Sequence, residues 1–282
     1  MSVWPSGPEL PPPPPATTPA PRCASWPRPL AWLVLQGLLL CLGALSVLGN
    51  GVALLLYPLL PAAAGRRMGR QLISRAYALF WRLTNASGLV QVHAQALDSL
   101  RDEPGLVVVA NHPSLLDAMV LVAHLPRGAC IMKASLMRNP LLGPCALLAR
   151  YIRNDSTWGM VRRAVRDLRN GGQLLLFPEG TRTLRPPVNP FHGSFTLIAK
   201  RAQAPIQAVF IDTDSPYLGK GWPLWKLPSQ PIRFDVRLGR RFAPAPDHDA
   251  LRREIEAYFA ANVRLGPLVG QRSERRRDED TV

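Results

Sequence analysis

Blocks of apolar and polar positions divide this chain into elements. The longest block is apolar and runs from 30 to 60; between Pro29 and Gly65 no residue carries a charge. That run exceeds both the roughly 20 residues a helix needs to cross a bilayer and the roughly 7–15 of a signal peptide's apolar stretch. Gly49, Asn50 and Gly51 lie inside it, so the segment reads as one tilted span or as two short helices embedded in one leaflet. A buried core helix is the plain alternative. Behind it, Leu72, Arg75, Ala76, Leu79, Phe80 and Leu83 recur at helical spacing. They predict a basic amphipathic helix over 66–84, lying along the membrane surface.

Farther on the blocks shorten and alternate in type. Apolar runs at 106–110, 129–132, 173–177 and 206–211 predict buried strands. At 232–238, Ile232, Phe234, Val236 and Leu238 alternate with charged residues, as in a half-buried or edge strand. Helical spacing marks 114–125, 156–169, 193–203 and 249–262. In the second of these Trp158, Val161, Val165 and Leu168 make one stripe, Ser156 caps the start, and Asn170-Gly171-Gly172 ends it. Strands alternating with helices predict an α/β fold, a largely parallel sheet flanked by helices and preceded by the N-terminal membrane-embedded helical segment. Five successive prolines, Pro11 to Pro15, mark the first residues as a disordered arm. The expected organisation is a Pro-rich arm at 1–28, an anchor at 29–65, the surface helix at 66–84, one domain at 85–265 and a disordered charged tail at 266–282.

Charge sharpens this picture. The formal net charge is +15, mostly scattered arginine. No helix-turn-helix, zinc or RNA-binding signature accompanies it, so nucleic acid is not the expected partner. An anionic membrane surface with anionic substrates accounts for it. Arg66, Arg67, Arg70 and Arg75 follow the apolar run, against Arg22 and Arg28 before it, which places the body on the cytoplasmic side, at the inner membrane if the source is bacterial. Cys23, Cys41, Cys130 and Cys145 show no Cys-x-x-Cys spacing and read as small apolar residues of a reduced compartment.

Chemistry concentrates where strands end. His112 follows the strand at 106–110, and Asp117 stands five residues later. On a continuous helix the two would point about 140° apart. They meet only if His112 lies in a loop and Asp117 in the first helical turn, with Pro113 opening the helix. An imidazole oriented by a carboxylate is a general base. No Gly-x-Ser-x-Gly elbow exists, and no second histidine stands where a metal site with His112, Asp117 and Glu179 would need one. The strand at 173–177 ends in Phe177-Pro178-Glu179-Gly180-Thr181-Arg182. In a parallel sheet His112, Lys133 and Glu179, each following its own strand, can share one rim.

Asn111-His112, then Asp117, then 177–182 without a gap resemble the first and third motifs of the PlsC-like glycerolipid acyltransferase family, the 1-acylglycerol-3-phosphate acyltransferases. Weaker resemblances lie at Lys133-Ala134-Ser135-Leu136 with Pro140 and Gly143, at Phe191-His192-Gly193 and at Ala204-Pro205-Ile206, so the likeness extends over 85–245. It implies a membrane enzyme moving a fatty acyl group from an acyl-CoA or acyl carrier protein thioester to the free hydroxyl of a lysophospholipid, giving phosphatidic acid and needing no cofactor. His112 would take the proton and Asp117 would hold its tautomer. Backbone N–H groups around Gly180 and Thr181 are candidate oxyanion donors. Glu179 either binds acceptor hydroxyls or holds its loop. Arg182, with Arg153 and Lys133, is expected to bind substrate, Arg182 as the phosphate ligand. The family's second motif carries an acid directly before its arginine, whereas Ile152 precedes Arg153 here. That departure leaves open another acceptor, such as an ornithine lipid precursor. A non-catalytic membrane lipid-binding protein is the competitor from another class, and it has no need of a base with an orienting acid. The segment 213–231, with Lys220, Trp222, Trp225 and Lys226, reads as a Pro-rich loop or as an interfacial contact.

Overall fold

The structure, a computed structural model, describes residues 26–229 and 232–264. Most of the expected arm at 1–28 and the whole tail at 266–282 lie outside them. The apolar run forms one helix, α1 (Arg28–Leu56), unbroken at Gly49–Gly51. Asn50 is tolerated there because its amide is satisfied from both sides. Its Nδ2 donates to Ser46 O at 2.8 Å and Leu141 O at 2.6 Å, and its Oδ1 accepts from Cys145 N at 2.9 Å. After a turn at 57–61 the chain enters α2 (Ala62–Ser87), which ends at Gly88 in the left-handed region with φ 70°.

The helix expected over 66–84 as a surface element is longer, and one side of it packs into the body while Leu79 and Leu83 stay exposed. Arg70, Ile73, Ser74, Phe80, Trp81 and Thr84 are buried along its inner side. Small residues bring it close: a Cβ at Gly69 would lie 2.5 Å from Ala149 N. Arg70, read from the sequence as lining the membrane edge, is instead buried. Its guanidinium donates to Ala149 O at 3.1 Å, Arg127 O at 2.8 Å and Asp167 Oδ1 at 2.8 Å. Arginine can do this because its planar fork serves several acceptors at once.

The remaining elements are β1 (Val90–His93), β2 (Leu106–Ala110), α3 (Asp117–His124), β3 (Gly128–Lys133), α4 (Gly143–Leu148), β4 (Ile152–Asn154), α5 (Thr157–Arg169), β5 (Gln173–Leu176), α6 (Ser194–Ala202), β6 (Ile206–Thr213), β7 (Ile232–Phe242) and α7 (His248–Asn262). They build a seven-stranded sheet in the order β1-β7-β6-β2-β5-β3-β4, parallel at every pairing except β6 with β7. β2 alternates between two cores. Leu106, Val108 and Ala110 pack with α2 and α3, and Val107 and Val109 pack with α5, α6 and α7. A strand covered on both faces reads as an unbroken apolar run, and β2 does.

Of the two readings of 232–238, half-buried holds and edge does not. Ile232, Phe234 and Val236 of β7 are buried and alternate with more exposed residues, but β7 is interior, between β1 and β6, and the edges are β1 and β4, each too short for its pattern to stand out in sequence. One expectation changes. The helix expected over 114–125 occupies only 117–124, so Pro113 lies in the loop and does not open the helix. Residues 113–116 are held out of it by bonds to a distant loop: Ser114 Oγ donates to Tyr217 O at 3.0 Å and Leu115 N to Leu218 O at 3.0 Å.

The Arg70–Asp167 pair fastens α2 to the body from a nearly dry site. Arg70→Met is expected to leave Asp167 buried beside Arg66 alone, 3.4 Å away, and to cost about 3–5 kcal/mol. Thermal unfolding of Arg70→Met beside the double variant Arg70→Met/Asp167→Leu checks it. The double variant should recover most of the loss, and equal instability of both would show that packing, not the stranded charge, is responsible.

Candidate active site

The site begins with the register of two neighbouring parallel strands. Val109 of β2 lies opposite Leu176 of β5, so residues 111–112 and 177–179 leave the sheet side by side at its carboxyl edge. Asn111 fixes the first of these exits. Its Nδ2 donates to Ile211 O and its Oδ1 accepts from Ile211 N, both at 2.8 Å, in β6. Glu179 fixes the second to the first. Its Oε1 accepts from His112 N at 2.9 Å and Thr183 Oγ1 at 2.8 Å, and its Oε2 accepts from Asn189 N at 2.8 Å. Thr183 N returns a bond to His112 O at 2.8 Å. Burial raises the pKa of the Glu179 carboxyl, and the donors from Asn189, Thr183 and His112 pull it back. With its carboxylate buried, Glu179 holds the loop through these three bonds.

His112 and Asp117 do meet. Nδ1 of His112 lies 2.9 Å from Asp117 Oδ2, which also accepts from Ser114 N at 2.8 Å. Asp117 is fully buried and its Oδ1 has no hydrogen-bond partner. Burial therefore raises its pKa, against the lowering by its bond to His112. A proton on Nδ1, assigned from the bond to the carboxylate, leaves Nε2 as the basic nitrogen. The imidazole is stacked on Phe177, with centroids 4.1 Å apart and planes at 17°. Phe177, read from the sequence as core, is thus a wall of the site. β5 ends one residue earlier than expected and releases it.

The other expected residues divide. Gly180 takes a left-handed φ of 68°, and a Cβ there would come within 2.9 Å of the His192 ring. Its N–H is donated to Phe177 O at 3.1 Å and so is not free for an oxyanion. Thr181 is exposed, and among the described residues its N–H has no acceptor. Arg182 sits beside the site and influences Asp117 electrostatically. Its Nη1 donates to Leu218 O at 2.8 Å and Gly219 O at 3.1 Å, which leaves Nε and Nη2 for a ligand. Lys133 ends β3, next to β5, exposed and without a hydrogen bond or ion pair among the described residues. Arg153 is not gathered in. It lies on β4, three strand spacings or about 14 Å from β2, and its Nε donates to Asp155 Oδ2 at 2.6 Å. An acid two residues after Arg153 takes the place of one directly before it.

Sequence reasoning missed Ser114, Thr183, Asn189 and the carbonyls of 217–219 as parts of the site. Ser114 and Tyr217 are 103 residues apart, and no local pattern signals such a bond.

A family model described as Acyltransferase matches residues 91–212. A Caenorhabditis elegans protein provisionally described as a 1-acyl-sn-glycerol-3-phosphate acyltransferase is 28% identical over 193 residues, 63% of this chain and 73% of that protein. A 1-acyl-sn-glycerol-3-phosphate acyltransferase of Cocos nucifera is 31% identical over 109 residues, 36% of this chain and 35% of its own length. The crystal structure of the 1-acyl-sn-glycerophosphate acyltransferase PlsC from Thermotoga maritima superposes with a TM-score of 0.60 at 21% identity, covering 82% of this chain and 92% of that one. The last likeness carries the fold.

The buried Asp117 carboxylate, with one of its two oxygens unpartnered, makes a pH-dependent prediction. A carboxyl whose folded pKa is raised contributes stability below its unfolded pKa, and that contribution is lost as pH rises through the folded value. At neutral pH its charge therefore weakens the fold. Asp117→Asn is expected to stabilise the protein at pH 7 by about 1 kcal/mol while impairing turnover. The gain should shrink as pH falls through the raised pKa, where the wild-type carboxyl takes up its own proton. Melting temperatures of both proteins across that range check it, and a variant less stable than wild type at neutral pH refutes it.

Proposed function

We propose that this chain is a PlsC-like acyltransferase, as the family match over residues 91–212 supports, and that it moves a fatty acyl group from a thioester to the free hydroxyl of 1-acylglycerol-3-phosphate, giving phosphatidic acid. The donor is an acyl-CoA or an acyl carrier protein, and no cofactor is needed. The observation that carries the reading is the 2.9 Å bond from His112 Nδ1 to the buried Asp117, which leaves Nε2 facing outward as a base. Nε2 accepts the proton of the acceptor hydroxyl as its oxygen attacks the thioester carbon. Asp117 steadies the imidazolium in surroundings too dry for water to do so. Phe177 keeps the ring in plane while its charge changes. The N–H of Thr181 is the donor best placed for the oxyanion. Collapse of the tetrahedral adduct breaks the carbon–sulfur bond, and the leaving thiolate takes the proton from Nε2. No acyl-enzyme is formed, because the acceptor is the nucleophile.

The acceptor's phosphate falls to the free donors of Arg182. A second reading, acylation of another lysolipid or an ornithine lipid precursor, is favoured by one observation. Arg153, the expected second phosphate ligand, is paired with Asp155 at the sheet edge. A non-catalytic lipid binder has no use for the His112–Asp117 geometry.

The N-terminal apolar helix suggests membrane anchoring. We place it along one leaflet rather than across the bilayer. Trp32 Nε1 donates to Trp225 O at 3.0 Å, while Ser46 and Asn50 bond Leu141 and Cys145. From residue 32 to residue 50 a helix rises about 27 Å. A helix held to the body at both ends of that length cannot leave it to cross a bilayer alone. We place the body on the cytoplasmic face, whose anionic leaflet attracts the exposed Arg67 and Arg75 that follow α1.

Two outcomes test the chemistry. His112→Ala is expected to lower turnover by at least roughly 10²–10⁴-fold with the fold intact; near-normal turnover of a folded variant would sink the mechanism. Arg182→Lys is expected to lower kcat/KM for lysophosphatidic acid by about one to two powers of ten, since a lysine cannot reproduce the paired grip. Monoacylglycerol, lacking the phosphate, should lose much less. Equal losses on both acceptors would reduce Arg182 to a support for 218–219, and a wild-type preference for the phosphate-free acceptor would favour the second reading.

A further inference from the structure

We propose that residues 214–229 form a second membrane contact, seated in the headgroup region of a phospholipid bilayer beside α1 and coupled to Arg182. The inference rests on the reading above of a membrane-bound acyltransferase. The segment joins β6 to β7 and lies beyond the family match, which ends at residue 212.

One end of the segment is built into the site. Tyr217 O accepts from Ser114 Oγ at 3.0 Å, Leu218 O from Leu115 N at 3.0 Å, and Leu218 and Gly219 carbonyls from Arg182 Nη1. At this node Leu218 is buried with φ 55°. That left-handed region is strained for a bulky side chain and persists only where neighbours impose it. Here the imposing neighbours are the catalytic loop and Arg182.

The other end faces outward. Trp225 is 69% exposed and Leu224 50%, beside Trp32 at 43%. Trp32 Nε1 donates to Trp225 O, so this patch continues the exposed apolar side of α1. Lys226 Nζ lies 4.9 Å over the Trp222 ring, and Lys220 is exposed. Exposed tryptophan and leucine flanked by lysine suit a bilayer interface, where rings sit at headgroup level and ammonium groups meet phosphates. Leu115, in the loop that carries His112 and 51% exposed, is tied to the same segment through Leu218 O.

Turns make the two ends one body. Gly219 N donates to Pro216 O at 3.0 Å, Trp222 N to Gly219 O at 3.0 Å and Trp222 Nε1 to Lys226 O at 2.9 Å. Seating Trp225 in the interface therefore fixes the carbonyls that hold one arm of Arg182. Lipid contact bears first on the phosphate grip, because His112 is held separately by its own bonds to Glu179 and Asp117.

The test uses the full chain with phosphatidylcholine vesicles whose acyl chains are brominated, with and without added phosphatidylglycerol. The emission difference between wild type and Trp225→Phe isolates Trp225, and quenching by bromine is expected. Unquenched emission would assign the patch to a protein partner and overturn the proposal. The coupling is read with short-chain, water-soluble acceptors. Adding acceptor-free vesicles should raise wild-type kcat/KM for the phosphate-bearing acceptor by about tenfold and leave the phosphate-free one unchanged. Leu224→Ser/Trp225→Ser should lose that stimulation while α1 keeps it membrane-bound. Equal stimulation of the two proteins would overturn the coupling. Failure of wild type to acylate any lysolipid would defeat the enzymatic reading, while the quenching result would still decide the contact.

Discussion

The geometry of this protein depends on one buried carboxylate. Glu179 receives the backbone N–H of His112, the hydroxyl of Thr183 and the backbone N–H of Asn189, and so joins the loops that follow β2 and β5. Loops at the carboxyl edge of a parallel sheet have no ladder partners of their own, and their N–H groups must be satisfied elsewhere. A single acceptor with two oxygens answers three of those demands at once. Burial makes its charge costly, and the gathered donors offset part of the cost. Without this tie, His112 would sit on a loop free to turn, and its distance to Asp117 would not be held.

Asp117 shows the complementary economy. It is buried, accepts from His112 and Ser114, and leaves one oxygen without a partner. Such an arrangement is poor for stability and, in the mechanism proposed above, good for catalysis. A dry, fixed carboxylate strengthens its interaction with a developing imidazolium because little water competes for it. Both acidic residues of the site have raised pKa values for the same reason, desolvation, yet they act differently. Glu179 binds backbone and positions; Asp117 binds the base itself.

The N-terminal helices belong to the same mechanical unit. α2 is fastened by Arg70 to the carbonyls of 127 and 149 and to Asp167, and α1 is fastened through Asn50 to the stretch before and within α4. The N-terminal apolar helix is thus a layer of the fold. The exposed apolar residues of α1 are joined to the exposed Trp225 by the bond from Trp32 Nε1 to Trp225 O.

By itself the sequence determined the alternation of elements, the buried strands at 106–110 and 206–211, the capped helix after Ser156, and the pairing of a strand-end His112 with Asp117. These are local consequences of period, capping and short-range reach, so they can be read from neighbouring residues. What the sequence left undecided was set by contacts between distant segments. Arg70 became a buried clamp because Asp167 and two carbonyls converge on it. Phe177 became a wall because β5 stops one residue early beside His112. Glu179 became a tie because β2 and β5 are neighbours in space. Residues 113–116 stayed out of the helix because Tyr217 and Leu218 offered their carbonyls from a hundred residues away. A side chain's chemistry is written in its own identity, whereas its role depends on which unsatisfied groups the tertiary fold brings within hydrogen-bonding distance.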